Sequence, residues 1–85
     1  MPSSYKPLGI TDLTAHGLPP GVARINMRFT YLRIQHNKTQ GEWAKIFKVS
    51  TSMIKNIERG RNRLTLEMIM LWSRKYNWKY DRIFE

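Results

Sequence analysis

Every proline of this 85-residue chain lies within its first twenty residues: Pro2, Pro7, Pro19 and Pro20. Proline has no backbone N–H and its ring clashes with the turn before it, so it breaks helix interiors. Beyond Pro20 the chain carries no such interruption and can run from helix to helix. No alternating apolar run flanks a turn dipeptide, so no β-hairpin is expected. Internal repeats and low-complexity tracts are absent too. Residues 1–21 read instead as an extension, with room for one short helical turn at "ITDLTAH" before Gly17 and the proline pair.

Residues 22–85 divide into five helical segments, which makes the expected fold class all-α. The first spans about Val22 to His36, with Val22, Ile25, Phe29 and Leu32 recurring on one face, and Asn37 suits the left-handed residue that stops it. "TQGEWAKIF" opens with Thr39 and has Glu42 three positions on, the pattern of a capping box. Trp43, Ile46 and Phe47 supply its inward side. After the connection "KVS", Ser50 caps a third helix that turns Ile54 and Ile57 inward and ends at Gly60. Thr65 caps "LEMIMLWSRKY", which Asn77 closes, and a last turn "KYDRIFE" carries Tyr80, Ile83 and Phe84. Two helices joined by a three-residue turn form a helix-turn-helix unit. Its cue is the run Gln40–Arg59: Ala44 is small where the two helices cross, and Val49, Ile54 and Ile57 fall where the second buries itself.

Charge points to a partner. Fifteen Lys and Arg against six Asp and Glu leave a net +9. The surplus is local, because Arg24–Leu64 holds ten cations and two anions whereas Met1–Ala23 is neutral. A small domain this basic fits a polyanion, either nucleic acid or an acidic membrane surface. Cysteine is absent, which excludes disulfides and thiolate zinc sites. The only histidines, His16 and His36, and six scattered acids offer no spacing suited to a metal or to proton transfer, so neither cofactor nor catalysis is expected. His36 reads as a side chain beside a helix end. No apolar run resembles a signal sequence or a membrane span, so the expected location is cytoplasmic.

"KTQGEWAKIFKVSTSMIKNIERG" resembles the Cro/repressor (Xre-like) helix-turn-helix family in its Thr-Gln start, central Ala, Val-Ser turn and "IERG" ending. "TLEMIMLWSRKYNWKYDRIFE" is similar to that family's two closing helices, and Leu32–Arg33 matches the end of its first. The resemblance covers about Val22 to Glu85 and implies a five-helix DNA-binding domain. The chain departs from the pattern at Lys48, where the family usually has glycine, and at Lys38, where it has an apolar residue. Tyr31, Ile34, Ile46, Met68 and Leu71 are apolar where it tends to be polar.

The resemblance implies that Thr51, Ser52, Lys55 and Asn56 face the bases. A helix docked N-terminus first brings its early side chains to base edges. Short hydroxyl side chains allow close approach, Asn pairs with adenine, and Lys reaches guanine acceptors or, equally, a phosphate. Phosphates are expected at the start of the second helix, near Thr39 and Gln40, and along the lip formed by Arg59, Arg61, Asn62 and Arg63. An ion pair between Arg33 and Glu58, also implied by the resemblance, supports the reading helix. Met27, Tyr31 and Ile34 on helix one and Met68 and Leu71 on helix four form surplus apolar stripes. These stripes suit a second subunit, the extension (Ile10, Leu13, Leu18) or another protein. The expectation is a homodimeric, sequence-specific regulator of transcription, most simply a repressor, on double-stranded DNA. An antitoxin-like protein-interaction module is the alternative, and nonspecific nucleic-acid or RNA binding a third.

Overall fold

Pro20 begins the first helix instead of closing the extension. The computed structural model describes residues 17–85, in which α1 runs Pro20–Gln35. Proline at the first helical position loses nothing, since its missing N–H is one that the helix leaves unpaired anyway. The expected turn at "ITDLTAH", with Ile10 and Leu13, lies outside the described residues. Four more helices follow: α2 at Gln40–Phe47, α3 at Thr51–Glu58, α4 at Leu66–Tyr76 and α5 at Tyr80–Phe84. There is no strand among the described residues.

Local chemistry sets most boundaries. Thr39 Oγ1 accepts from Glu42 N at 3.1 Å, and Glu42 Oε1 accepts from Thr39 N at 2.9 Å, closing the capping box. Ser50 and Thr65 accept from Met53 N and Met68 N at 3.1 and 3.2 Å to start α3 and α4. Each such cap is worth about 1 kcal/mol. Asn37, Lys48 and Asn77 take left-handed backbones, with φ of 55°, 59° and 57°, at the ends of α1, α2 and α4. Asparagine accepts that conformation readily, whereas lysine is strained by its Cβ. Gly60, at φ 78°, follows α3.

The core is built around Phe29 of α1. Its ring lies 4.7 Å from Phe47, 5.5 Å from Trp43 and 5.6 Å from Trp72, all centroid to centroid. Ile54 and Ile57 of α3 and Ile83 of α5 complete it, each fully buried. At about 1.5–3 kcal/mol for each buried large side chain, this cluster carries the stability of so small a domain. It also fixes α3, whose inner face is locked while its outer face stays in solvent.

Two expectations about faces are corrected. Met68 is a core residue, 1% exposed, and not part of an outer stripe. It stands one helical turn before Trp72 on the inward side of α4, and Leu71 packs half-buried beside it. On α1, Val22 and Ile25 are only half-buried, and the fully buried positions are Ala23, Asn26, Phe29, Thr30 and Leu32. The inward stripe is turned so that two polar residues enter the core.

The closing helix is tied back to the first. Arg28 Nη1 donates to the Ile83 carbonyl at 3.1 Å, and Arg24 Nη1 to that of Glu85 at 3.3 Å. Arg82 lies 3.8 Å above the Trp78 ring, which packs 5.2 Å from Trp72. His36 caps the end of α1 with its ring 4.7 Å from Tyr76.

Candidate nucleic-acid interface

The helix-turn-helix consists of α2, the turn Lys48–Ser50 and α3. A left-handed residue followed by an extended N-cap reverses the chain in this short space. Val49 N donates to Ala44 O at 3.0 Å across the turn. The starts of the two helices come together at Gly41. A Cβ there would lie 3.9 Å from Thr39 Oγ1 and 4.0 Å from Thr51 Oγ1. Both hydroxyls, one expected at phosphate and the other at bases, thus lie within ordinary contact distance of that position.

On α3, Thr51, Ser52 and Lys55 are exposed and Asn56 is half-buried; Ser52, Lys55 and Asn56 stand opposite Ile54 and Ile57, whereas Thr51 is the first residue of the helix, one turn before Ile54. Past its end, Arg59, Arg61 and Arg63 are exposed, and none pairs with a carboxylate among the described residues. The backbone of this loop is well held: Arg61 N and Asn62 N both donate to Asn56 O, at 2.8 and 3.3 Å. Asn62 differs from its neighbours. Its side chain is turned inward, with Nδ2 3.5 Å from Met53 Sδ, and its carbonyl is taken by Asn26.

Gln40 is likewise engaged, with Nε2 donating to Glu58 Oε1 at 2.9 Å. Glu58 is the centre of a network. Arg33 donates to it twice, Nε to Oε2 at 2.6 Å and Nη2 to Oε1 at 3.1 Å, and its Nη1 reaches Lys38 O at 2.8 Å. The side chains of Arg33 and Glu58 are 17% and 10% exposed, so the pair is largely removed from water. It joins the ends of α1 and α3 to the start of α2.

Thr39 already holds one anion on its backbone N–H, the Glu42 carboxylate at 2.9 Å. Its backbone N–H holds the Glu42 carboxyl below the ordinary carboxylate range, a shift that burial opposes and that the Thr39 side chain, Lys38 and Lys45 reinforce. Sequence reading missed two contributors: Asn26 and Thr30. An asparagine in the register of a core stripe is the signal that could have found the first.

Among the described residues no helix is long and apolar enough to cross a membrane, and no group of His, Cys, Asp or Glu could hold a metal ion. No curated protein and no solved structure matches the chain. A family model described as helix-turn-helix does match, over residues 30–81, from the last six residues of α1 to the start of α5. With α2, the turn and α3 all inside that match, the chain belongs to the Cro/C1-type, Xre-like helix-turn-helix family, which is non-catalytic and binds DNA.

Proposed function

We propose that the protein is a sequence-specific transcriptional regulator, most simply a repressor that occupies a promoter by laying α3 in the major groove of duplex DNA. One observation carries this reading. A single helix is buried along Ile54 and Ile57, presents Thr51 and Ser52 in solvent at its start, and is followed by exposed Arg59, Arg61 and Arg63. Thr51, Ser52, Lys55 and Asn56 read bases; Thr39, Gln40 and the three arginines set the register on phosphates. Asn62, expected on that lip, is turned away from it, with its side chain on Met53, its N–H on Asn56 O and its carbonyl held by Asn26. Residues 22–85, together with Pro20 and Gly21 that open α1, act as the reading domain, and the residues before them as an appended segment. A two-fold dimer reads two half-sites one helical turn, about 34 Å, apart.

Selection of bound sequences from random duplex DNA tests the whole reading. Enrichment of a two-fold symmetric motif is expected, with binding lost on Asn56→Ala combined with Arg61→Ala. If about six phosphates are neutralised, log affinity falls against log salt with a slope of about −5. No enrichment at any salt concentration refutes sequence-specific regulation. A second reading, an antitoxin-like module that also engages a protein, is favoured by Leu66 and Phe84, which are 71% and 52% exposed. Met27, Tyr31 and Ile34 support it less than the sequence implied, since all three are half-buried. A stable heterologous complex that survives DNA removal is the result that distinguishes it.

A further inference from the structure

Asn26 lies on α1, outside the residues that the family model covers, and is fully buried. A buried asparagine in a helix interior is unfavourable unless its amide is used. Here Nδ2 donates twice, to the Ile57 carbonyl at 3.2 Å and to the Asn62 carbonyl at 2.8 Å. Its two hydrogens match two acceptors, one at the end of α3 and one in the loop beyond it. Between them lie Glu58, Arg59, Gly60 and Arg61. Oδ1 is buried without a partner, so the two donor bonds of Nδ2 are set against the cost of an unsatisfied acceptor. Thr30 Oγ1 donates to Asn26 O at 3.0 Å, which satisfies that buried hydroxyl inside the same turn of α1.

We propose that Asn26 is the positioning residue of the cationic loop: by drawing the Asn62 carbonyl inward, it holds Arg61 and Arg63 on the outside, where phosphates are met. The inference rests on the reading of that loop as a phosphate contact. The alternation in the loop supports it, since Asn62 is half-buried and pinned whereas Arg61 and Arg63 on either side are exposed. Gly60 allows the loop to leave α3 in this direction, because its φ of 78° is one that other residues resist. Asn26 touches no DNA in this scheme. It acts only by fixing where charge is presented, so its removal changes salt dependence while leaving base choice alone.

The test is a salt titration of the full chain on its selected duplex, with helix content followed by circular dichroism. Asn26→Ala is expected to retain native helicity and the same enriched motif, and to flatten the slope of log affinity against log salt by about two. Arg61→Ala with Arg63→Ala should flatten it equally, and adding Asn26→Ala to that pair should change it no further. An unchanged slope for folded Asn26→Ala, or an altered motif, overturns the proposal. A second measurement needs no variant: both Asn26 side-chain amide protons should exchange with solvent at least about a hundredfold more slowly than those of exposed Gln35. Fast exchange overturns the proposal even where Asn26→Ala does not fold. If the arginine pair itself leaves the slope unaltered while Asn26 stays protected, the phosphate reading of the loop has failed and the clamp has not.

Discussion

Removing the Glu58 carboxylate should be among the most damaging single changes outside the aromatic core. Glu58→Ala strips Arg33 of two of its three hydrogen bonds and leaves the Gln40 amide without its acceptor. The guanidinium remains in a site where its side chain is 17% exposed, so water can only partly replace what is lost. Breaking a buried pair from one side costs about 3–5 kcal/mol, and the residual access of water places this one at the lower end, about 3. In a domain this small, that loss lowers the melting temperature by roughly 12–24 °C. Urea denaturation followed by circular dichroism measures it directly. The companion variant carries Arg33→Met and Glu58→Met together, which removes both charges and keeps apolar volume. It should lie within about 1 kcal/mol of the natural chain, since replacing both members of a buried pair is often neutral. A Glu58→Ala loss below about 1 kcal/mol, or a double variant as unstable as the sum of the two singles, refutes the reasoning.

Three further outcomes are expected. Lys48→Gly relieves the left-handed backbone at φ 59° and should stabilise the fold by about 0.5–1 kcal/mol, read as a higher urea midpoint at unchanged slope. Phe29→Ala opens a hole where three aromatic rings meet and should cost about 3–5 kcal/mol, leaving little or no native helix at 37 °C by circular dichroism. The Glu42 carboxyl is held below its ordinary value near 4.5, so its contribution is present above that pH and is lost as pH falls through the lower folded value. The acid limb of stability against pH should therefore be shallower in Glu42→Gln than in the natural chain. Equal limbs count against the capping box as its origin.

The helix ends were legible in the sequence because the groups that set them are neighbours along the chain. Thr39 and Glu42, Ser50, Thr65 and the left-handed Asn37 and Asn77 stand in the structure as their spacing required. Lys48, where the family usually has glycine, takes the left-handed backbone itself. The rotation of α1 was less legible. Its apolar periodicity named Val22 and Ile25, but the core takes Ala23, Asn26 and Thr30 in their register, where they meet α3 and the loop. Met68 was misplaced for a related reason: a family pattern of polar positions says nothing about how far a particular helix is turned about its axis. The expected exposed stripes shrank accordingly, and apolar surface appeared instead at Leu66, Met70, Tyr80 and Phe84.

The sequence by itself determined five helices, a helix-turn-helix at their centre and a basic segment, because capping, proline exclusion and charge are local properties. Which groups face one another across the molecule was decided only by tertiary packing. Asn26 meets carbonyls 31 and 36 residues away, and Gln40 meets Glu58 at a separation of 18. Hydrogen bonds at such distances depend on how helices rotate and approach as they bury their rings, and no periodicity along the chain encodes that angle.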